Sequence, residues 1–207
     1  MREEWPGFFE RVPRVVVHDP LSDLLGSPVG GIVEYRYQDA VRLAGHSCPA
    51  VASAWLLVLR GLAALYGDDL PQRGGVAVGF PTAVTFGTTG VTASVTGLVT
   101  GAAAEGGFSG IRGTFGKRRG LMTFGTGLDG HLSMRRLDTG RGVLLGIASE
   151  ALPPADPEQR QLLDVALTDP QDVQARTRFQ QLWVARVERM LTDEAIRANL
   201  VTVVEWE

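Results

Sequence analysis

At 207 residues, 44% hydrophobic and 21% charged, the chain is long enough for one well-buried core, short for two independent domains, and too apolar for wholesale disorder. A formal net charge of -3 and an aromatic content of 7% argue against a nucleic-acid-binding domain, which carries a positive excess and stacking platforms. The single cysteine, Cys48, excludes an intramolecular disulfide, a CxxC redox pair and a four-cysteine zinc finger. The partner classes that remain are a small molecule, a metal or another protein.

The N-terminal residues Met1 to Pro6 are charged and lack the apolar stretch of a secretory signal, which leads to the expectation of a cytoplasmic protein. Arg14 to Asp19 is a β-branched run stopped by Pro20 and reads as a strand. Leu21 to Leu25 fits one helical turn before the loop Gly26–Gly31. Tyr37 to Leu43 reads as a short helix ended by Gly45. The next helix runs from about Pro49 to Tyr66. Its apolar run, Ala50 to Leu59, is shorter than the roughly 20 residues a membrane span needs, and Arg60 ends it. A buried core helix follows, with no membrane contact expected.

From Gly74 to Ile147 the texture turns β-rich, with strands expected at Gly75–Phe80, Leu121–Phe124, His131–Leu137 and Gly142–Ile147. Between them, Val91 to Ala104 reads as a closely packed helix because Gly97, Gly101 and Ala104 recur at helical spacing, although its β-branched content leaves a strand open. The final third is helical, about 157–192. Asp156-Pro157 and Asp169-Pro170 each pair a capping acid with a proline suited to a first helical position. Val173, Phe179, Leu182, Trp183, Val187, Met190 and Leu191 form an apolar stripe that packs on the domain or on a second copy of the chain. A last strand is expected over Leu200–Val204. The fold class is thus α+β, a single domain spanning 1–207, with a mixed or antiparallel sheet packed against a long buried helix and a helical C-terminal region.

The chemistry centres on Gly45-His46-Ser47-Cys48-Pro49. Proline is at home in a first helical turn, so Cys48 falls at or near the N-cap of the long helix. Free backbone N–H groups and the positive end of the dipole then face its sulfur, which favours thiolate and with it metal ligation or nucleophilic attack. His46 aims an imidazole into the same space. The pair supplies two donors suited to zinc or a similar transition metal. Against this, a lone buried cysteine is more often a small apolar residue, and a lone histidine a satisfied polar one. Lys117-Arg118-Arg119 is the one compact basic cluster, and Lys117 and Arg118 are candidates for holding an anionic group; the bland alternative is a solvated loop. His18 beside Asp19, His131 after Asp129-Gly130, and Glu105 before Gly106-Gly107 are weaker candidates. No Walker motif, Gly-x-Gly-x-x-Gly turn or Gly-x-Ser-x-Gly elbow is present.

Ala44-Gly45-His46-Ser47-Cys48-Pro49-Ala50-Val51-Ala52 resembles the HGHxCPG signature of the FmdE family, named after a component of formylmethanofuran dehydrogenase. Thr100 to Phe108 and Gly113-Thr114-Phe115-Gly116-Lys117 are similar to later family segments, so the resemblance covers about Tyr35 to Ile147. It implies an α+β core of about 35–147, a homodimer, a metal near His46 and Cys48, and an accessory role in molybdenum- or tungsten-enzyme metabolism. The chain departs from the family in two places. Gly113 stands where the family has a second cysteine, and the C-terminal zinc finger is absent. Three readings follow: an FmdE-like metal-binding protein, with zinc the expected metal and a small anionic ligand; a metal-free thiol enzyme with Cys48 as catalytic nucleophile and His46 as base; and a non-catalytic dimeric scaffold.

Overall fold

The structure is a computed structural model and describes residues 3–206. Its elements follow in the order β1 (Val15–His18), α1 (Pro20–Leu25), β2 (Ile32–Tyr35), α2 (Tyr37–Ala44), α3 (Pro49–Tyr66), β3 (Val76–Phe80), α4 (Thr89–Thr100), β4 (Met122–Phe124), β5 (Leu132–Arg136), β6 (Gly142–Ile147), α5 (Gln159–Thr168), α6 (Val173–Thr192), α7 (Glu194–Leu200) and β7 (Val201–Trp206). The fold is α+β. A five-stranded sheet has the order β4-β3-β5-β6-β7, and a two-stranded ribbon pairs β1 with β2. Only β3 and β4 run parallel, through the crossover helix α4; the other neighbours are antiparallel, so the sheet is mixed.

Strand alternation decides where the core sits. Val76, Val78, Phe80, Leu132, Met134, Val143 and Leu145 face inward and are all buried. Helix α3 lies on this face, with Trp55, Leu56, Leu57, Val58, Leu62 and Leu65 buried along it. Each large side chain taken fully out of water contributes roughly 1.5–3 kcal/mol, so this layer is the main source of stability. The approach is close because Gly61 lacks a side chain: a Cβ there would stand 2.4 Å from Met134 Sδ and 2.7 Å from Leu145 Cδ1. Helix α3 is the one described helix long and apolar enough to cross a membrane, with a mean hydropathy of 1.5, and 61% of it is buried within the chain. It is the core helix.

Several boundaries differ from expectation, each for a local reason. Helix α4 stops at Thr100, not Ala104, because Gly101 turns left-handed at φ 73° and its N–H closes on Gly97 O. Asp156 and Asp169 do not N-cap helices; Asp169 instead ends α5, its N–H donating to Val165 O. Each accepts from the N–H two residues on, at Glu158 (3.0 Å) and Gln171 (3.1 Å), the local turn that an Asp-Pro step favours. Helix α6 starts instead at Val173, capped by Asp172 on Ala175 N–H at 2.9 Å. Strand β2 and helix α7 are not evident in the sequence pattern. The C-terminal strand extends to Trp206 and completes the sheet against β6, so the fold draws on residues well outside 35–147.

Candidate functional site

The turn between α2 and α3 is set by residues on both sides. Helix α2 ends where Gly45 adopts φ 78° and donates its N–H to Val41 O. Cys48 is extended (φ −152°, ψ 169°) and caps α3, with Pro49 in the first helical position. Its Sγ accepts the Val51 N–H at 3.5 Å, and the side chain is 8% exposed within the hydrophobic core. The intervening Ser47 is held twice: its carbonyl accepts from Trp183 Nε1 at 2.9 Å, and its hydroxyl lies 2.9 Å from Tyr37 Oη. Tyr37 is fully buried, and burial pushes its phenol well above the ordinary value, so it stays neutral. Tyr37, Ser47 and Trp183 therefore position the turn. Sequence spacing does not single them out, because Trp183 reaches the turn from α6, far along the chain.

His46 stands on the surface of the same turn, its Nδ1 3.0 Å from Ala44 O. A carbonyl oxygen only accepts, so Nδ1 is the donor in this contact, and in the neutral ring Nε2 is then the nitrogen with the lone pair. That is the tautomer a metal-ligating histidine needs. The two expected donors thus share a turn but divide between surface and interior, and no hydrogen bond joins them. Among the described residues, no group of three His, Cys, Asp or Glu side chains is placed to hold a metal ion. This turn supplies two donors, and any further ligand has to come from outside it.

The basic cluster separates. Lys117 is exposed, whereas Arg118 is buried and its Nη2 donates to Asp19 Oδ1 at 2.7 Å. Its Nη1 donates to Arg73 O at 2.6 Å. Arg73 donates in turn to Asp19 Oδ2 at 3.0 Å and to Leu98 O at 3.2 Å. Asp19 also caps α1, accepting from Leu21 N–H at 2.9 Å and Ser22 N–H at 3.3 Å. Burial works against the Asp19 charge, but the Arg73 hydrogen bond and the Arg118 charge outweigh it and hold the carboxyl below its ordinary value. Burial also lowers the Arg118 guanidinium, and Arg73 adds to that, while Asp19 opposes both. The path of Arg118 requires a glycine at 74, where a Cβ would fall 1.4 Å from Nη1. Arg118 is therefore a clamp between β1, the segment after α3 and the loop after α4. It shares no surface patch with Lys117.

The weaker candidates take local roles. His131 Nδ1 accepts the Ile147 N–H at 3.1 Å across the β5–β6 hairpin. His18 Nε2 lies 3.7 Å from Asp23 Oδ2. Glu105 is exposed, in the loop beyond the end of α4 rather than at a helix terminus. Gly113 is exposed at a hairpin tip with φ 81°, a conformation glycine adopts freely and a cysteine would enter only under strain. No protein-family model and no curated protein matches this chain.

Proposed function

We propose that this chain is an FmdE-like metal-binding protein whose His46 Nε2 and Cys48 Sγ hold a transition metal, zinc by donor type, in an open site. Water, a small anionic ligand or a second copy of the chain completes the shell. A homodimer and an accessory role in molybdenum- or tungsten-enzyme metabolism are the setting that the resemblance suggests. The observation that carries the proposal is the Ala44 O contact, which leaves Nε2 of His46 free as a ligand two residues before a sulfur at a helix N-terminus. A two-donor set binds more weakly than a closed four-ligand structural site.

Zinc titration against a chromophoric chelator, with thermal midpoints measured alongside, tests this. His46→Ala and Cys48→Ser should each lose zinc while keeping the fold, since serine is itself a good N-cap. Full occupancy in both variants refutes the site. Loss of the fold together with the metal refutes its open, functional character.

A second reading has its own support. Cys48 is buried, and Ser47 is tied to Tyr37 and Trp183, as a purely structural turn joining α2, α3 and α6 would require. On that reading the wild type binds no zinc, and Cys48→Ser changes little. The thiol-enzyme reading has less support, because His46 sits at the surface and no hydrogen bond joins it to the sulfur as it would a general base.

A further inference from the structure

We propose that the outer face of the five-stranded sheet is a binding site for a small planar aromatic anion such as an aromatic carboxylate, selected by Arg135 and Trp206. The site is separate from the His46–Cys48 turn. Residues directly paired across strands share a face, so the register builds it row by row. One row runs Ala77, Arg135, Gly142, Trp206 across β3, β5, β6 and β7. The next runs Thr123, Gly79, Ser133, Leu144, Val204 across all five strands. Small residues at 77, 79 and 142 keep the floor low. The result is a depression of about 350 Å³ walled by Leu128, Thr126 and Trp206. That volume lies within the roughly 300–1,000 Å³ usual for small-ligand sites.

The polar groups around it are not equivalent. Ser133, Thr123 and Thr126 donate their hydroxyls to Gly79 O, Val78 O and Phe80 O at 3.2, 3.3 and 3.1 Å, so their donors are committed. Among the described residues, the Arg135 guanidinium makes no ion pair or hydrogen bond, and Trp206 Nε1 donates to no protein acceptor. The indole leans from β7 over Gly142 towards Arg135: a Cβ on Gly142 would lie 2.1 Å from Trp206 Cε2. Among the described residues, the carboxylate next to Trp206 in sequence, Glu205, is paired with Arg141 at 3.0 Å. Two donors without a partner among the described residues, one of them a cation, thus flank one end of an apolar floor beside an aromatic wall. An anionic group accepts from Arg135 and the indole N–H while a ring lies over Ala77 and Gly79. A second copy is the poorer occupant, because a two-fold pairing of this face would bury Arg135 without a counter-charge.

Calorimetric titration of the full chain with 1-naphthoate, and with the uncharged naphthalene-1-carboxamide as comparison, tests the proposal. One naphthoate should bind per chain. Arg135→Gln, at an exposed position, should weaken it roughly tenfold or more, the worth of one charge-assisted hydrogen bond, while Arg135→Lys recovers part of the loss. The carboxamide should not distinguish wild type from Arg135→Gln. Ala77→Leu, which fills the floor, should abolish binding with the circular dichroism spectrum intact. No saturable binding at millimolar naphthoate, or unchanged affinity in Arg135→Gln or Ala77→Leu, overturns the proposal. So does a dimer that dissociates in Trp206→Ala and binds no naphthoate, which would assign the face to a second copy.

Discussion

Replacing Asp19 by Asn is the sharpest test of the buried charge cluster. The carboxylate accepts from Arg73, Arg118 and the N–H groups of Leu21 and Ser22, and its side chain is 4% exposed. Asn keeps the shape but removes the charge, and its amide turns a donor towards one of two guanidinium donors. Arg118, 8% exposed, then sits buried without a counter-charge. Breaking a buried pair in this way costs roughly 3–5 kcal/mol. Urea unfolding at neutral pH should show the unfolding free energy falling by that amount, read as a lower midpoint at unchanged slope. Removing both charges should cost less than the sum of the single changes, since the penalty lies in the orphaned partner. Asp19→Asn, Arg118→Met and the double variant together measure this. A loss below about 1 kcal/mol for Asp19→Asn, the range of exposed pairs, or strict additivity in the double variant, would refute the reasoning.

The same carboxyl sets an acid limit. Its folded-state value is lowered, so its contribution is complete above the ordinary 3.8 and lost as pH falls through the lower folded value; the thermal midpoint should drop in that window, and less so in Asp19→Asn. Asp138, hydrogen-bonded by Arg136 and held down to about 2, acts in the same direction and extends the fall. Gly61→Ala should cost roughly 1–3 kcal/mol by overpacking against Met134 and Leu145, read from the urea midpoint; a neutral result would mean that those side chains move aside freely. Trp183→Phe leaves Ser47 O without its donor and should lower stability by about 0.5–1.5 kcal/mol, and it should raise the alkylation rate of Cys48 by iodoacetamide if the turn loosens. Sedimentation equilibrium should give twice the chain's 22.2 kDa for the proposed homodimer; a monomer at micromolar concentration removes that part of the proposal.

What the sequence makes legible is local. The Gly45 stop, the cap at Cys48 and the proline after it are decided within a few residues, and the turn is built as those residues imply. The buried character of α3 follows from apolar residues on nearly every side. Strand β2 escapes notice because its residues alternate only between half-buried and exposed, so its pattern carries no strong period. Helix α7 is a short element that takes its cap, Asp193, from the residue that ends α6. The apolar stripe of α6 is a packing face, as its spacing implies, but its use is graded. Val187, Met190 and Leu191 are buried, while Val173 at the other end is 58% exposed.

The basic cluster shows why site reading from sequence stops where it does. Lys117, Arg118 and Arg119 are indistinguishable as a run of three cations. Their roles are assigned by Asp19, 99 residues before Arg118, and by the absence of a side chain at Gly74. Neither fact leaves a trace near position 118. Charge that appears in sequence as a solvated patch can thus be the buried half of an ion pair, while Arg135, directly followed in sequence by the ion-paired Arg136, is one of several cations without a partner among the described residues. The difference lies in strand register. Arg135 faces outward opposite Ala77 and Gly142, and neither residue carries a group that could neutralise it. Moving that guanidinium to a position whose cross-strand neighbour is acidic would satisfy it within the protein. Its present neighbours leave it available to a ligand, and that availability is what the naphthoate titration measures.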